Sequence, residues 1–409
     1  MNTHRKVVLA LTVLLCTTAL FGQERRDRAV IEASRNEFLD TLRAGSERFR
    51  KGEEEPKTAL RMDFATVSAP SSPEEFRQQW HNPPISQGIT GMCWCYSTTS
   101  FLETEIHRLT DRKLKLSEPY TVYWEYVEKA RGFVRTRGES YFGQGSEANA
   151  VTRIWKEYGI VPLEAYTGLQ DGQRFHDHDS LFVEMENYLD WVRTADAWNE
   201  EEVLATIRAV LNHYLGEPPR RVRVGGRELT PQQYLKEEVR LNMDDYVDFL
   251  SLMEEPYYRK VEFGVPDNWW EDDSYHNVPL DVFMSIIRNA IRDGFTLSIG
   301  GDTSEPGYEG HAGIGVIPTF DIPSDYIDES SRQHRFSNGT TEDDHGIHLV
   351  GYLEKDGKDW YLVKDSGSSS RNNSHPGYYF HHEDFAKLKM LGFMVHKDAA
   401  RKVLERFQQ

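Results

Sequence analysis

The sequence predicts an α+β fold, because helical and strand patterns fall in different parts of the chain. Apolar residues recur at helical spacing through the first two thirds, as Phe101, Leu102 and Ile106 do. The last third has short apolar runs typical of strands, and the turn pair Asp356-Gly357 between two of them predicts a hairpin. Helices and strands that are segregated along a chain indicate a helical part packed against a sheet part.

The helical and strand periodicities also predict the individual elements. Residues 24–60 are charged and helix-prone, and a turn-rich linker follows, so residues 23–80 are interpreted as an N-terminal segment and residues 81–409 as the main domain. Residues 178–255 are interpreted as a mostly helical insertion. Further helices are expected at residues 94–109, 118–130, 145–158 and 277–294. Strands are expected at residues 295–299, 312–317, 347–353, 360–364, 378–380 and 392–396.

Composition narrows the class of protein. The chain has 409 residues, of which 48 are basic and 66 acidic, giving a formal net charge of −18. Nucleic-acid-binding proteins are usually basic over the contact face, so we expect no nucleic-acid partner. Hydrophobic residues make up 38% of the chain, which is enough for a sizeable core and excludes a disordered protein. Three cysteines are too few for a disulfide-dense scaffold.

The first residues have the pattern of an export signal. Two basic residues precede a mostly apolar run at residues 7–20, which is too short to span a bilayer core of about 30 Å comfortably. With Gly22 near its end, the pattern predicts a secretory signal peptide over residues 1–22. Its removal would leave a periplasmic or extracellular protein with a net charge of −20 and no stable membrane insertion. A membrane anchor that stays attached is the alternative.

Cys93 lies where a glycine-containing loop meets the helix expected at residues 94–109. A helix N-terminus carries partial positive charge from unpaired N–H groups, and this charge stabilises a thiolate, the nucleophilic form of cysteine. Gln87, six residues earlier, would supply a side-chain N–H donor to an oxyanion, beside the backbone N–H of Cys93. The alternative is that Cys93 is a small buried hydrophobe, as most free cysteines are. The local pattern leaves both interpretations open.

A thiolate nucleophile needs a histidine, and His345 is the best placed of the 15 in the chain. It opens an expected strand, whose end beside a cleft suits a base. The alternation of side chains predicts that His348 faces the other way. The hairpin through residues 356–357 returns Asp365 to the neighbourhood of His345, where it would accept the ring N–H and hold the tautomer.

Three segments resemble papain-like cysteine peptidases. Residues 87–97 resemble the active-site segment of that family, Q-x-x-x-G-x-C-W-x-[FY]-S. Residues 345–352 resemble its histidine strand, and residues 361–367 resemble the segment of its third catalytic residue. Thr90 stands where papain has a disulfide cysteine, which indicates the bleomycin hydrolase and aminopeptidase C branch.

Further segments resemble this branch and occur in its order. They are residues 116–120, 158–162, 277–280 and 300–302. Together with the three segments above, they extend the resemblance over some three quarters of the chain. The resemblance implies a papain-like fold, in which a cleft separates a helical part from an antiparallel sheet part.

The resemblance also implies the roles of single residues. Cys93 would be the nucleophile, His345 the general base and acid, and Gln87 a donor in the oxyanion hole. Asp365 stands where the family usually has asparagine, and its carboxylate would still orient His345. Gly367 replaces a tryptophan of the family, so the usual aromatic shield over the histidine contact is expected to be absent.

The substrate-binding stretch is expected at Gly143, Gln144 and Gly145, which resemble the family segment that holds a peptide in an extended pose. The implied reaction is the hydrolysis of peptide substrates through an acyl-enzyme, with no metal or other cofactor. The branch implies an aminopeptidase and a homo-oligomer, and in it a C-terminal arm restricts substrates to free N-termini. An endopeptidase with an open cleft and a non-catalytic peptide-binding descendant are the alternatives.

The second cysteine of the pair has a different expected role. Cys95 lies two residues beyond Cys93, about 200° round the helix, so we expect it to pack in the core. A metal site made of Cys93, Cys95 and His345 or His348 matches no common zinc signature.

Overall fold

The computed structural model describes residues 27–46 and 58–408. The expected signal peptide, residues 1–22, lies outside the described residues. The helices of the described part are α1 Glu37–Ser46, α2 Cys93–Thr110, α3 Glu118–Arg135, α4 Ala148–Tyr158, α5 Asp179–Thr194, α6 Glu200–Leu215, α7 Pro231–Tyr234, α8 Leu280–Arg292, α9 Glu329–Ser337, α10 Glu383–Lys389 and α11 Arg401–Leu404.

The strands of the described part, given in chain order, concentrate in the second half. They are β1 Ala29–Ala33, β2 Thr58–Met62, β3 Arg77–Gln78, β4 Val222–Val224, β5 Arg227–Leu229, β6 Tyr246–Leu250, β7 Arg259–Val261, β8 Tyr275–Asn277, β9 Leu297–Gly301, β10 Tyr308–Glu309, β11 Ile314–Gly315, β12 His345–Lys355, β13 Lys358–Lys364, β14 Tyr378–His382 and β15 Met390–His396. This distribution confirms the α+β class.

Helix α2 is the centre of the helical part. Every residue from Trp94 to Ile106 is buried, because α3 and α4 cover one side of the helix and strands β9 and β12 cover the other. A helix that is covered on all sides must satisfy its polar residues internally. The buried carboxylates of Glu103 and Glu105 accordingly pair with Lys115 and Arg108.

One large sheet forms the other part of the molecule. Its strand order is β10-β11-β14-β13-β12-β9-β15-β6-β8-β7, and β3 also pairs with β12. Most neighbours are antiparallel, and the pairs β11–β14 and β6–β8 are parallel. Helix α8 packs its buried Phe283 and Ile287 against this sheet, in a core separate from that of the helical part.

The predicted hairpin between β12 and β13 is confirmed. Asp356 and Gly357 both have positive φ, 54° and 76°, as a two-residue type I′ turn requires. The turn pairs Lys355 with Lys358 and sets the register of the two long strands. At their far ends, β12 begins at His345 and β13 stops just before Asp365, so the turn brings these two residues to the same edge.

Two segments expected to be helical contain strands. Residues 29–33 pair with residues 58–62 as a two-stranded sheet, and residues 37–46 are helical. Residues 246–250, at the end of the expected insertion, form β6 in the main sheet between β15 and β8. Both are short β-branched or aromatic runs, whose pairing with strands far along the chain overrides local periodicity.

The last described residues also pack on the main domain. Phe407 places its ring 4.7 Å from that of His276 and 5.9 Å from that of Tyr258. Throughout residues 27–46 and 58–408, each helix is too short or too polar to cross a membrane.

Candidate active site

Strand β12 approaches the first turn of helix α2 most closely at Gly346. A Cβ atom at this position would lie 2.9 Å from Ser97 Oγ and 3.2 Å from the Cα of Trp94. Only glycine therefore lets the strand lie directly on the helix without a shift of one of them. This contact places Cys93, the first residue of α2, beside His345, the first residue of β12.

Cys93 has the position that the sequence predicts for it. It begins α2 after Met92, whose carbonyl accepts the N–H groups of Cys95 and Tyr96. Its thiol is partly exposed. The first N–H groups of a helix have no partner within the helix, so Cys93 lies at the positive end of α2.

His345 and Asp365 form a buried pair. The Nε2–H group of His345 donates to Asp365 Oδ1 at 2.9 Å, and the backbone N–H of Gly367 donates to the same oxygen at 2.6 Å. Asp365 is only 1% exposed. Because Nε2 carries the proton toward Asp365, the other ring nitrogen of His345 is left to interact with the thiol of Cys93.

The electrostatics of the pair favour its charged form. Burial by itself lowers the pKa of His345, but the charge of Asp365, its hydrogen bond and the interaction with Cys93 outweigh burial and raise that pKa well above its usual range. Burial raises the pKa of Asp365, yet the imidazolium of His345 and three donated hydrogen bonds hold it below its usual value. The charge of Asp365 therefore favours the transfer of a proton to His345, beside Cys93.

Tyr308 contacts the carboxylate of this pair. Its hydroxyl donates to Asp365 Oδ2 at 3.2 Å, and its ring stacks on that of Tyr379 at 4.3 Å. Gly367 stands at the position of the family's tryptophan, where a Cβ would approach Asp365 Oδ1 to 3.1 Å, and Tyr308 reaches the carboxylate from β10 instead.

Gln87 is held beside the same strand end by three hydrogen bonds. Ser366 Oγ donates to Gln87 Oε1 at 2.7 Å, and the backbone N–H of Gln87 donates to the carbonyl of Ser366 at 3.0 Å. Gln87 Nε2 donates to the carbonyl of Thr90 at 2.6 Å. A side-chain amide has two N–H groups, so one remains for a ligand.

The expected substrate-binding stretch contacts the loop that precedes Cys93 and the first turn of α2. Gln144 accepts the backbone N–H of Gly91 on its side chain at 2.8 Å and the indole N–H of Trp94 on its carbonyl at 3.2 Å. Gly145 is in close contact with Asp267, since a Cβ on it would lie 2.0 Å from Asp267 Oδ2. Gly143 lies beside this loop, and its binding role stays a prediction.

His348 and Cys95 lie outside the site. His348 Nδ1 accepts from Ser100 Oγ at 2.8 Å, and burial lowers its pKa well below its usual range. His348 contacts α2 on the same side of β12 as Gly346, so the alternation of side chains places it on the face opposite to His345. Cys95 is fully buried, with Sγ 3.7 Å from Thr99 Oγ1.

A pocket beside Cys93 and His345 contains residues that the sequence patterns did not single out. Its acidic lining includes Glu147, Asp248 and Asp343. The available signal was proximity along the chain, because Glu147 follows the Gly143–Gly145 stretch and Asp343 precedes His345 by two residues.

Comparisons with known proteins agree with this geometry. Residues 143–409 match the model of the peptidase C1-like family. Aminopeptidase W of Lactobacillus delbrueckii subsp. lactis is 23% identical over 338 residues, which cover 72% of this chain and 76% of that protein. Aminopeptidase G of the same organism is 23% identical over 358 residues, covering 76% and 80%. Aminopeptidase C of Listeria innocua is 24% identical over 273 residues, covering 56% and 61%.

Solved structures show the same relationship at the level of the fold. The crystal structure of PepW from Lactobacillus rhamnosis superposes with a TM-score of 0.63 at 19% identity, covering 81% of this chain and 84% of that one. The expected papain-like architecture, a helical part and a sheet part with a cleft between them, is thereby confirmed.

Replacing Asp365 with asparagine tests the electrostatic part of this description. Asp365→Asn keeps an oxygen acceptor for His345 but removes its negative charge, so the pKa of His345 should fall. NMR titration of histidine-labelled protein, with His345 assigned through a His345→Gln variant, measures this change. Glu342→Gln, an exposed charge change near the strand, is the control and should leave the titration unaltered. An unchanged His345 titration in Asp365→Asn would contradict the pairing.

Proposed function

Because the chain belongs to the peptidase C1-like family, we propose that it is a cysteine peptidase that removes residues from the free amino termini of peptides. The observation that carries the proposal is the position of His345, between Cys93 and the buried carboxylate of Asp365. The relatives named aminopeptidases W, G and C support the choice of substrate class.

The reaction begins with proton transfer from the Cys93 thiol to His345, which the buried Asp365 charge favours. The thiolate attacks the carbonyl carbon of the peptide, and the N–H groups of Cys93 and Gln87 stabilise the oxyanion. The imidazolium then donates its proton to the departing amine, leaving an acyl-enzyme on Cys93. A water molecule, deprotonated by His345, hydrolyses the thioester and restores the free thiol.

An endopeptidase with an open cleft is the second candidate. One observation favours it: the described residues 401–408 pack near His276 and Tyr258, and none of them lines the pocket at Cys93. A cleft that this segment leaves open would accept peptides with blocked amino termini. The two candidates therefore differ in a directly measurable substrate preference.

The two cysteines provide a matched test of the proposal. Cys93→Ala should abolish the hydrolysis of fluorogenic peptides, whereas Cys95→Ala should retain it because Cys95 is buried away from the cleft. The reduced wild-type protein should cleave peptides with a free amino terminus in preference to their N-acetylated counterparts. Equal cleavage of both would favour the endopeptidase, and activity in Cys93→Ala would contradict the proposed nucleophile.

The proposed oxyanion donor has its own kinetic signature. Gln87→Ala should lower kcat by about 100-fold with little change in KM, since the lost hydrogen bond strengthens only as the oxyanion forms. Gln232→Ala is the control, because this exposed glutamine also donates to a main-chain carbonyl but lies outside the pocket lining. An increase in KM at unchanged kcat would assign Gln87 to ground-state binding instead.

We also propose that the protein is exported and loses residues 1–22. The support is the basic start, the short apolar run at residues 7–20 and Gly22. N-terminal sequencing of the protein isolated from the cells that produce it should then begin at Gln23. A chain that begins at Met1 and stays with the membrane fraction would identify a retained anchor.

A further inference from the structure

The pocket that opens beside Cys93 and His345 combines apolar walls with a concentration of carboxylates. Trp94, Leu250 and Phe393 supply apolar surface. The carboxylate side chains come from four separate places in the chain and are Glu147, Asp248, Asp267, Asp343 and Asp344. Such a concentration of one sign of charge in a confined space requires either protonation or a positively charged ligand.

Glu147 and Asp343 are adjacent in the lining of this pocket. Their side chains are close enough to share a proton, and burial followed by the neighbouring Asp343 raises the pKa of Glu147 well above its usual range. Burial also raises the pKa of Asp343, to about 7. Glu147 Oε1 is buried and makes no hydrogen bond within the part of the chain that the structure describes.

Asp248 is a third carboxylate of the pocket. The residue is only 8% exposed, in the middle of β6, and its backbone carbonyl accepts from His276 Nδ1 at 3.1 Å. Among residues 27–46 and 58–408, no side chain forms an ion pair or hydrogen bond with its carboxylate. Burial raises the pKa of Asp248 well above its usual range, as expected for a carboxylate without a cation.

The nearby cations of the protein are already engaged elsewhere. Lys129 donates to the carbonyl of Gly145, and its charge interacts most strongly with Glu125 and Asp267 and less with Glu147. His345 is paired with Asp365. Within the described part of the chain, Glu147, Asp248 and Asp343 form no ion pair with a basic side chain, and they line the pocket that also contains the reactive thiol.

We propose that Glu147, Asp343 and Asp248 form an anionic subsite that binds an ammonium group of the peptide substrate, and specifically its α-ammonium. The inference rests on the proposed peptidase function and assigns its amino-terminal preference to these residues. In a substrate with a free amino terminus, the ammonium nitrogen is separated from the attacked carbonyl carbon by a single Cα atom. Once that carbon contacts Cys93 Sγ, the ammonium group must lie in the immediately adjoining space, which the pocket provides.

A lysine side chain of the substrate also carries an ammonium group that this subsite would bind. Its ammonium would enter the subsite when the lysine is the residue before the one whose carbonyl is attacked. Its aliphatic stem would then contact Leu250 and Phe393. Cys93 and the carboxylates line the same pocket, which favours the α-ammonium, because that group is only two bonds from the attacked carbon. The experiment therefore includes both sources.

Binding to the inactive Cys93→Ala protein tests the subsite without any need for turnover. Calorimetry would compare alanyl-alanine amide with its N-acetylated form, and N-acetyl-lysyl-alanine amide with N-acetyl-norleucyl-alanine amide. The free amine should bind more tightly than the acetylated form. Adding Glu147→Gln and Asp343→Asn together should weaken that binding by about 10- to 100-fold, the value of a charged hydrogen bond. Adding Glu342→Gln, an exposed charge change outside the pocket lining, should leave it unchanged.

Each possible result either supports or contradicts the proposal. A charge-dependent preference for the lysyl over the norleucyl peptide would support the subsite and identify the side chain as the source. A free-amine preference that survives the double variant would overturn it, as would equal binding of all four peptides. Circular dichroism of the double variant verifies that it is folded. In the active protein, the double variant should raise KM for free-amine substrates and spare N-acetylated ones, and absence of hydrolysis in the wild type would contradict the peptidase function separately.

Discussion

The contact of strand β12 with the first turn of helix α2 is the constraint on which the rest of the site depends. At Gly346 the absence of a side chain lets the two elements approach closely, and Cys93 and His345 are thereby neighbours although they are far apart in the chain. The helix is buried on all sides and the strand lies inside a large sheet, so neither can move without disturbing a core. Preorganisation of this kind is what positions a base for proton transfer.

Burying the charged pair of His345 and Asp365 carries a large desolvation free energy, and several contacts offset it. Gly367 and Tyr308 donate hydrogen bonds to the carboxylate, and the ring of Tyr308 stacks on that of Tyr379. Burial of an ion pair is tolerated when its remaining hydrogen-bonding capacity is filled in this way. An aspartate in the place of the usual asparagine gives His345 a stronger bias toward its protonated form, since a negative charge stabilises imidazolium more than a neutral amide does.

Sequence patterns anticipated the parts of the molecule that depend on local chemistry. The turn at residues 356–357 sets the register of two adjacent strands, so the meeting of His345 and Asp365 could be expected from spacing alone. The start of α2 at Cys93 follows from the loop glycines and the apolar period that comes after them. The sequence therefore predicted the geometry of the site where two interacting residues are joined by a short turn or belong to the same helix or strand.

Long-range pairings had no such signal. Strand β6 joins the main sheet by pairing with β15, more than a hundred residues later, and its own short sequence does not reveal that partner. Tyr308 covers Asp365 across a separation of 57 residues. The meeting of Glu147 and Asp343 likewise depends on how the helical part and the sheet part pack. Side chains brought together only by tertiary packing, including the pocket carboxylates, became visible in the structure alone.

The central claim is that Cys93 is a nucleophile activated by His345, and covalent trapping tests it most directly. The protein would be incubated with an aminoacyl chloromethyl ketone, and the modified residue located by peptide mass spectrometry in the wild type and in His345→Gln. A single adduct is expected on Cys93, and it should form rapidly in the wild type and at least about tenfold more slowly without the imidazole. An adduct on Cys95, or equal rates of modification in the two proteins, would contradict it.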